Sequence, residues 1–566
     1  MTRPWARMAI RFLRREDGAL LPFAVQIFLI MMICLGITVD LMRQEELRTR
    51  VQNTIDRASL AAASLSQTLP PAAVVADYLS KSGLGYLNVV PVIEEGSLKE
   101  WRRVTINTND GITTIFGPLI GIDQLSATAV SQAAESIGNV EISLVLDISG
   151  SMNFNINTGA SGVSPTRMEQ LKPAALNFVQ KMFDTVQAPG APAGRLSISI
   201  IPYNQQVTLG SATAAGFTLS ADHTRNTCAD VETLPNTDIA ITPTTSLLRT
   251  MYGDSFDYWG QSALGQGNWT MPTRVTNQNC LENAVSSVLA LSNTKAVIDA
   301  KIATLTPGGD TAIDVGARWG LALLDPAAQP AVTKLIANGT VSSTLAGRPF
   351  DYGYSGAELG KSSMKIMVLM TDGENTRSYS TKAAYRTGSS GLVSTISATS
   401  FANSSDDSTA WRALHYYVAG RSAPYYRLYD GSWRTAAQLG SRIYDVSWQT
   451  VWAKGYSLQY VIETFLYPPK RAVTATTTKA ALYNDMAIQS EFTQKDTNLR
   501  ALCTAAKASG RGIYIFTVAV DAPDTGAAIL SECASDEGYA YNVTAASLTE
   551  AFSSIASSIN ALRLTN

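Results

Sequence analysis

Histidine is almost missing from this chain: His223 and His415 are the only two in 566 residues, and they stand far apart. That scarcity removes the commonest metal ligand and the usual proton carrier near neutral pH. Cysteine is also scarce. Cys34, Cys228, Cys280, Cys503 and Cys533 include no Cys-x-x-Cys pair and no Cys/His cluster, so the spacing of a zinc site is absent. Charge is thin. Asp, Glu, Lys and Arg make up 16% of the residues, against roughly a quarter in ordinary globular proteins. The net charge of −2 offers no electrostatic footprint for DNA or RNA, and no nucleic-acid partner is expected.

What is present begins with a membrane signal. Residues 19–39 carry no charge and are polar only at Gln26 and Thr38. As a helix this run spans about 31 Å, enough to cross a bilayer. Arg3, Arg7, Arg11, Arg14 and Arg15 precede it and Asp40 follows. The positive-inside rule places the basic segment 1–18 in the cytoplasm and the bulk of the chain outside. A cleaved signal peptide needs small residues at its cut, and Leu35-Gly36-Ile37-Thr38-Val39 is bulky. An uncleaved single-pass anchor is expected. Gly18 lies where a prepilin glycine would, but Phe23 stands where such sites carry Glu, so that processing is not expected.

From residue 41 to 65 there is no Gly or Pro. Leu47, Val51, Thr54, Ala58 and Leu65 recur at helical spacing, predicting a helical extension that packs on a following sheet or a partner helix. Pro70-Pro71 ends it. Short β-rich pieces follow at 87–93, 103–106 and 113–116, so residues 40–136 read as the extension plus a small α/β module.

Past residue 137 the pattern changes to apolar runs of strand length alternating with helices. Strands are expected at 142–146, 196–202, 365–370, 513–520 and 539–543, and helices at 168–186, 312–324, 480–509, 526–535 and 548–562. This alternation predicts an α/β domain with a doubly wound, mostly parallel sheet covered on both faces. Two long segments interrupt it, about 203–297 and 375–478. The second is rich in Tyr, Trp and Ser, and its aromatics are expected to build a small core of their own. Outside the cytoplasm, Cys228, Cys280, Cys503 and Cys533 are expected to form disulfides. Nearest-neighbour pairing is one of three possible connectivities.

In such sheets the binding crevice lies at the carboxyl ends of the strands. Asp147-Ile148-Ser149-Gly150-Ser151 stands at one such end and Thr371-Asp372-Gly373 at another. Gly308-Gly309-Asp310-Thr311 opens a helix between them, with Asp310 able to ligate or to cap that helix. A carboxylate and two hydroxyls at alternating positions suit a hard cation such as Mg²⁺, which wants compact all-oxygen coordination. The pattern resembles the metal-ion-dependent adhesion site of von Willebrand factor A domains. That resemblance implies five ligands, Asp147, Ser149, Ser151, Thr311 and Asp372, and an open ion position for a partner's carboxylate. No general base or nucleophile stands near these loops, so an enzyme is not expected. Gly356-Ala357-Glu358-Leu359-Gly360-Lys361-Ser362 is one residue short of a phosphate loop and precedes a strand, so no nucleotide is expected either.

The whole chain resembles the TadG-like proteins of bacterial tight-adherence (Flp) pilus systems. The resemblance rests on Asp17-Gly18-Ala19, Gly36-Ile37-Thr38-Val39-Asp40, Gln52, Asp56-Arg57-Ala58, Ala61-Ala62-Ala63 and Gly121-Ile122 through Ala134. Gly309-Asp310-Thr311 with Trp319-Gly320, and the tail from Ala551-Phe552 to Leu562-Arg563-Leu564, also carry it. It implies an envelope protein associated with pilus assembly or surface attachment. Taken with the anchor and the crevice motifs, a bacterial inner-membrane protein that binds a pilus or envelope component through a Mg²⁺-dependent site is expected. Two alternatives stay open: a pilin-like scaffold assembling through its amino-terminal helix, and a chelatase-like partner subunit of an ATPase.

Overall fold

The uncharged run and the Gly- and Pro-free stretch after it form one continuous helix, α1, Leu20–Ala63. The computed structural model describes residues 20–64, 67–95, 101–136, 138–188, 191, 193–251, 279–352, 363–403 and 407–565. The basic segment 1–18 and the phosphate-loop-like segment 356–362 lie outside them. The chain divides into two compact units, Met1–Ile137 and Gly138–Asn566.

In the first unit α1 changes character along its length. Its early turns expose Leu20, Leu21, Phe23, Phe28 and Leu35, and the helix is long and apolar enough to cross a membrane. Its later turns bury Val51, Ile55, Ala58 and Ala62, a stripe with helical period. The stripe packs on Val104, Ile106, Ala129 and Ala133 of a small sheet, and on Val74, Val75 and Leu79 of α2, Pro71–Lys81. The sheet is an antiparallel meander of β1, Val92–Glu95, β2, Trp101–Thr113, and β3, Gln124–Ser136. The piece expected at 103–106 lies inside a longer strand, and the one expected at 113–116 is corrected here. β2 and β3 are each 13 residues long, and Thr114–Phe116 begins the loop between them. β3 is built mainly of Ala, Ser, Thr and Gln, small or polar residues that let α1 approach closely but give a weak strand signal.

The second unit holds a six-stranded sheet. Its strands are β4, Asn139–Asp147, β5, Leu196–Tyr203, β6, Leu289–Ser292, β7, Ser363–Thr371, β8, Tyr514–Val520, and β9, Ala540–Val543. The spatial order is β9-β8-β7-β4-β5-β6, parallel throughout except for β6 at the edge. β4 is at the centre, in register Leu144↔Ile200 on one side and Leu144↔Val368 on the other. Nothing from Val140 to Ile148 is exposed, as a strand with neighbours on both sides and helices on both faces requires.

One face is covered by α3, Arg167–Thr185, α4, Lys295–Thr304, and, from the far end of the chain, a helix at Leu548–Thr565. The other face is covered by α5, Ile313–Ala322, α6, Phe492–Lys507, and α7, Asp524–Cys533. Gly316 and Gly320 of α5 let it sit on the sheet. A Cβ at either would lie within 2.6 Å of Tyr203 or 2.4 Å of Val145.

Two sequence expectations change, and the one for the aromatic segment 375–478 holds. The segment 203–297 contains the edge strand β6, whose four residues are too few to stand out as an apolar run. The helix expected at 480–509 is broken. Lys479–Met486 is helical, Ala487–Ser490 pairs antiparallel with Ser378–Thr381, and α6 starts afterwards. The pairing partner, more than 100 residues away, overrides the local helical pattern. In the 375–478 segment five strands between Ser389 and Ser447 form an antiparallel sheet. Its core gathers Phe401, Trp411, Trp448, Trp452, Tyr456 and Phe465, so these aromatics are internal. The cysteines pair as Cys228–Cys280 and Cys503–Cys533.

Candidate metal centre

β4 delivers Asp147 to the carboxyl edge of the sheet, wholly buried. The backbone then turns so that the Ser149 N–H donates to Asp147 Oδ1 at 2.7 Å, the local turn that Asp side chains favour. The other oxygen, Oδ2, accepts from the Thr371 hydroxyl at 2.6 Å, so the end of β7 is tied to the end of β4. Ser149 Oγ and Ser151 Oγ stand 3.0 Å apart. Ser151 Oγ donates to Asp372 Oδ1 at 2.6 Å.

The third loop is laced to the first through backbone groups. The Gly308 N–H donates to the Ile148 carbonyl and the Gly150 N–H to the Gly309 carbonyl, each at 2.8 Å. Gly309 has φ +84°, and a Cβ there would meet Asn204 Nδ2 at 2.3 Å, so this position requires glycine. Thr311 N–H donates to Thr376 Oγ1 at 3.0 Å, and Thr376 N–H returns to the Thr311 carbonyl at 2.8 Å. A Cβ on Gly373 would lie 3.7 Å from Thr311 Oγ1 and 4.0 Å from Ser151 Oγ, so both hydroxyls border the same spot. The structure thus brings Asp147, Ser149, Ser151, Thr311 and Asp372 together from three loops. Helix α5 starts without a side-chain cap from its flanking residue, and the Ile313 N–H is taken by Asn375 Oδ1 at 2.8 Å.

Burial pushes the Asp147 carboxyl up to about 7, and the nearby Asp372 charge adds to the rise. Hydrogen bonds from Ser149 and Thr371 work against it. Asp372 is also raised by burial, with Ser151 and Arg167 pulling the other way. Arg167 Nη1 donates to Asp372 Oδ2 at 2.8 Å and its Nε lies 4.0 Å from Asp521 Oδ2. Arg167 is the first residue of α3, just after a reciprocal Thr166–Glu169 cap. A positive charge is electrostatically misplaced at a helix amino end, and that oddity is the sequence signal that could have revealed it. Thr371, Asn204, Asn375 and Thr376 also support the site and were not singled out. Thr371 stood within the Thr-Asp-Gly turn, and the others have no motif.

The donor set is two carboxylates and three hydroxyls, all hard oxygen ligands. Neither His nor Cys, the ligands that transition metals favour, is among these five residues. Two buried carboxylates face the single full charge of Arg167, and a divalent cation would balance them. The residues fit a hard divalent ion. Both histidines lie elsewhere: His223 accepts from the Arg225 N–H, and His415 is on a strand of the second segment. In the first unit, a groove of about 1080 Å³ lined by Glu45, Arg50, Arg57, Asp77 and Lys81 among others mixes both charge signs and holds none of the five residues.

The strand order, with the antiparallel edge strand and the crevice at the end of β4, defines the second unit as a von Willebrand factor A-like α/β fold. At the amino terminus, residues 18–65 match the family described as "Putative Flp pilus-assembly TadE/G-like". No curated protein matches the chain. Among solved structures, the chain is similar to the vWF domain of the type V pili tip protein Mfa5 from Porphyromonas gingivalis, at 13% identity and TM-score 0.28, covering 75% of this chain and 96% of that one. It is similar to the PilB minor pilin from Streptococcus sanguinis at 12% identity and TM-score 0.27, covering 84% and 79%. It is also similar to the pilus adhesin SpaC from Lactobacillus rhamnosus GG at 11% identity and TM-score 0.29, covering 83% and 34%.

Proposed function

We propose that this protein is a membrane-anchored binding protein of a tight-adherence pilus system, not an enzyme. It holds Mg²⁺ or another hard divalent cation at Asp147, Ser149, Ser151, Thr311 and Asp372. The ion supplies an open coordination position for a carboxylate of a protein partner, a pilus or envelope component. Asp147 and Asp372 provide the charge. Ser149, Ser151 and Thr311 provide neutral oxygens, and the Gly308–Gly309 turn keeps the crevice narrow. Residues 1–18 lie in the cytoplasm, α1 crosses the bacterial inner membrane once, and the second unit lies outside. The observation that carries this reading is the convergence of five oxygen side chains from three loops, with Ser151 bridging to Asp372.

The test is a pull-down of the full chain from envelope extracts under oxidising conditions, with Mg²⁺ and with EDTA in parallel. Capture of a partner should require Mg²⁺ and should be lost in Asp147→Ala. Equal capture in EDTA would sink the metal mechanism. A second reading, a pilin-like scaffold assembling through α1, draws on the family match being confined to residues 18–65. A chain lacking residues 1–65 that still captures the partner counts against it.

A further inference from the structure

The loop between β2 and β3 has an unusual composition. Residues 111–122 read Gly-Ile-Thr-Thr-Ile-Phe-Gly-Pro-Leu-Ile-Gly-Ile, with no charge between Asp110 and Asp123. Ile115, Leu119, Ile120 and Ile122 are 61%, 63%, 48% and 41% exposed. A hairpin tip in water usually carries polar turn residues, so this apolar one requires a reason.

The loop is fastened to α1 at the end of the uncharged run. Asp40, 1% exposed, accepts three backbone N–H groups: Ile115 at 2.9 Å, Phe116 at 2.8 Å and Gly117 at 3.0 Å. One turn earlier, Phe116 lies directly on Gly36, where a Cβ would stand 2.3 Å from its ring. Gly36 is four residues inside the run, about 6 Å along the helix axis from Asp40. Further along α1, Gln44 donates to the Ser126 carbonyl and Gln52 to the Val130 carbonyl. β3 therefore runs away from the apolar end of α1, and the hairpin tip sits beside it.

The loop also pairs most of its backbone N–H groups within the protein. Besides the three N–H groups held by Asp40, Thr114 N–H bonds the Asp123 carbonyl, Leu119 bonds Phe116, Gly121 bonds Pro118 and Ile122 bonds Gly117. Thr114 Oγ1 donates to the Ile122 carbonyl at 2.6 Å. Irregular backbone tolerates contact with lipid only when its polar groups are paired within the protein.

We infer that the Thr114–Ile122 hairpin tip is a second membrane contact, inserting Ile115, Leu119, Ile120 and Ile122 into the outer headgroup and acyl boundary beside α1. Side chains entering about 5–10 Å suit such interfacial contact. The tip then fixes the rotation of α1 and holds the sheet upright on the bilayer. This rests on α1 being a membrane anchor.

The test uses the full chain in phosphatidylcholine vesicles, with Cys34→Ser and the disulfides left oxidised. Single cysteines are introduced by Leu119→Cys or Ile120→Cys in the tip, by Leu29→Cys in α1 and by Val130→Cys on β3. Each is labelled with an environment-sensitive fluorophore and exposed to doxyl lipid and to aqueous iodide. The expected result is a blue-shifted tip label that doxyl lipid quenches as it does the Leu29 label, while the Val130 label answers only to iodide. A tip label that behaves like Val130 while Leu29 is quenched by lipid overturns the inference and leaves the anchor standing. So does a tip label shielded from both quenchers, which means that protein covers it. A Leu29 label open to iodide overturns the anchor and the inference together.

Discussion

Ser151 Oγ donates to Asp372 Oδ1 at 2.6 Å across 221 residues of sequence. This bond joins the Asp147–Ser151 loop to the Thr371–Gly373 loop and points both groups at the spot bordered by Thr311. A cation held there as proposed would gain ligands from every loop at once and would bind the folded chain alone. Its binding therefore adds to stability by about 2.7 kcal/mol at a hundredfold excess over the dissociation constant. The full chain should melt at a higher temperature in Mg²⁺ than in EDTA. Ser151→Ala, which removes one neutral ligand, should keep the fold and lose most of that increment. Identical melting of the unmodified chain in both buffers would count against the site.

Arg167 supplies the positive charge that Asp372 has without an ion, through the 2.8 Å contact of Nη1 with Oδ2. Arg167→Met leaves the Asp147–Asp372 pair without it. Breaking a largely buried ion pair costs about 3 kcal/mol, so the variant should be markedly less stable in EDTA. Mg²⁺ should restore most of the loss, because the ion no longer competes with a fixed cation, and its apparent affinity should rise. Denaturation followed across a Mg²⁺ titration reads both quantities. An equal loss with and without Mg²⁺ would mean that Arg167 serves packing alone.

The three motif loops were legible because each obeys a local rule. Asp147 ends an apolar run, Gly309 stands in a backbone conformation few residues adopt, and Asp372 follows a buried strand in a turn sequence. What was illegible is held by partners distant in the chain. β6 is recognisable as a strand only through its pairing with β5. Ala487–Ser490 looks helical until Ser378–Thr381 lies beside it. Lys495 is buried between Glu232 and Asp314, an ion cluster that joins the first long segment to two covering helices with no motif in any of them. β3 was missed because its small side chains were chosen for contact with α1, not for strand propensity.

The Cys228–Cys280 disulfide closes a loop of 52 residues and anchors a long segment that has little regular structure among its described residues. Loop closure of that length restricts the unfolded chain by about 4 kcal/mol. Cys228→Ala with Cys280→Ala should lower the denaturant midpoint accordingly, with no change in the Mg²⁺ increment if the crevice is intact. Both sulfurs lie near Thr208 Oγ1, at 3.4 and 3.7 Å, so the first long segment should become protease-sensitive before the sheet does. Limited proteolysis and denaturation test the two effects separately. Unchanged stability would mean the bridge adds nothing to the fold.

His223 gives the second unit a specific response to acid. Burial lowers its pKa to about 4, with Asp222 opposing the shift and Arg249 and Arg386 adding to it. The unfolded imidazole titrates near 6.5, so between those values the unfolded chain binds the proton that the folded chain refuses. The stability this group contributes is complete above 6.5 and is lost as pH falls toward 4, by up to about 3 kcal/mol. Asp230 has the opposite sign. Burial raises it to about 6, so its contribution is present below 3.8 and is lost as pH rises to 6. Arg386 contacts both Asp222 and Asp230, at 2.8 and 2.5 Å, so the two responses overlap in the unmodified chain and must be separated by difference. His223→Gln removes only the histidine response. Its unfolding free energy, followed by denaturant titration from pH 7 to 4, should fall less than that of the unmodified chain, and the gap should widen mainly between 6.5 and 4. Parallel curves would show that His223 titrates alike in the folded and unfolded chains.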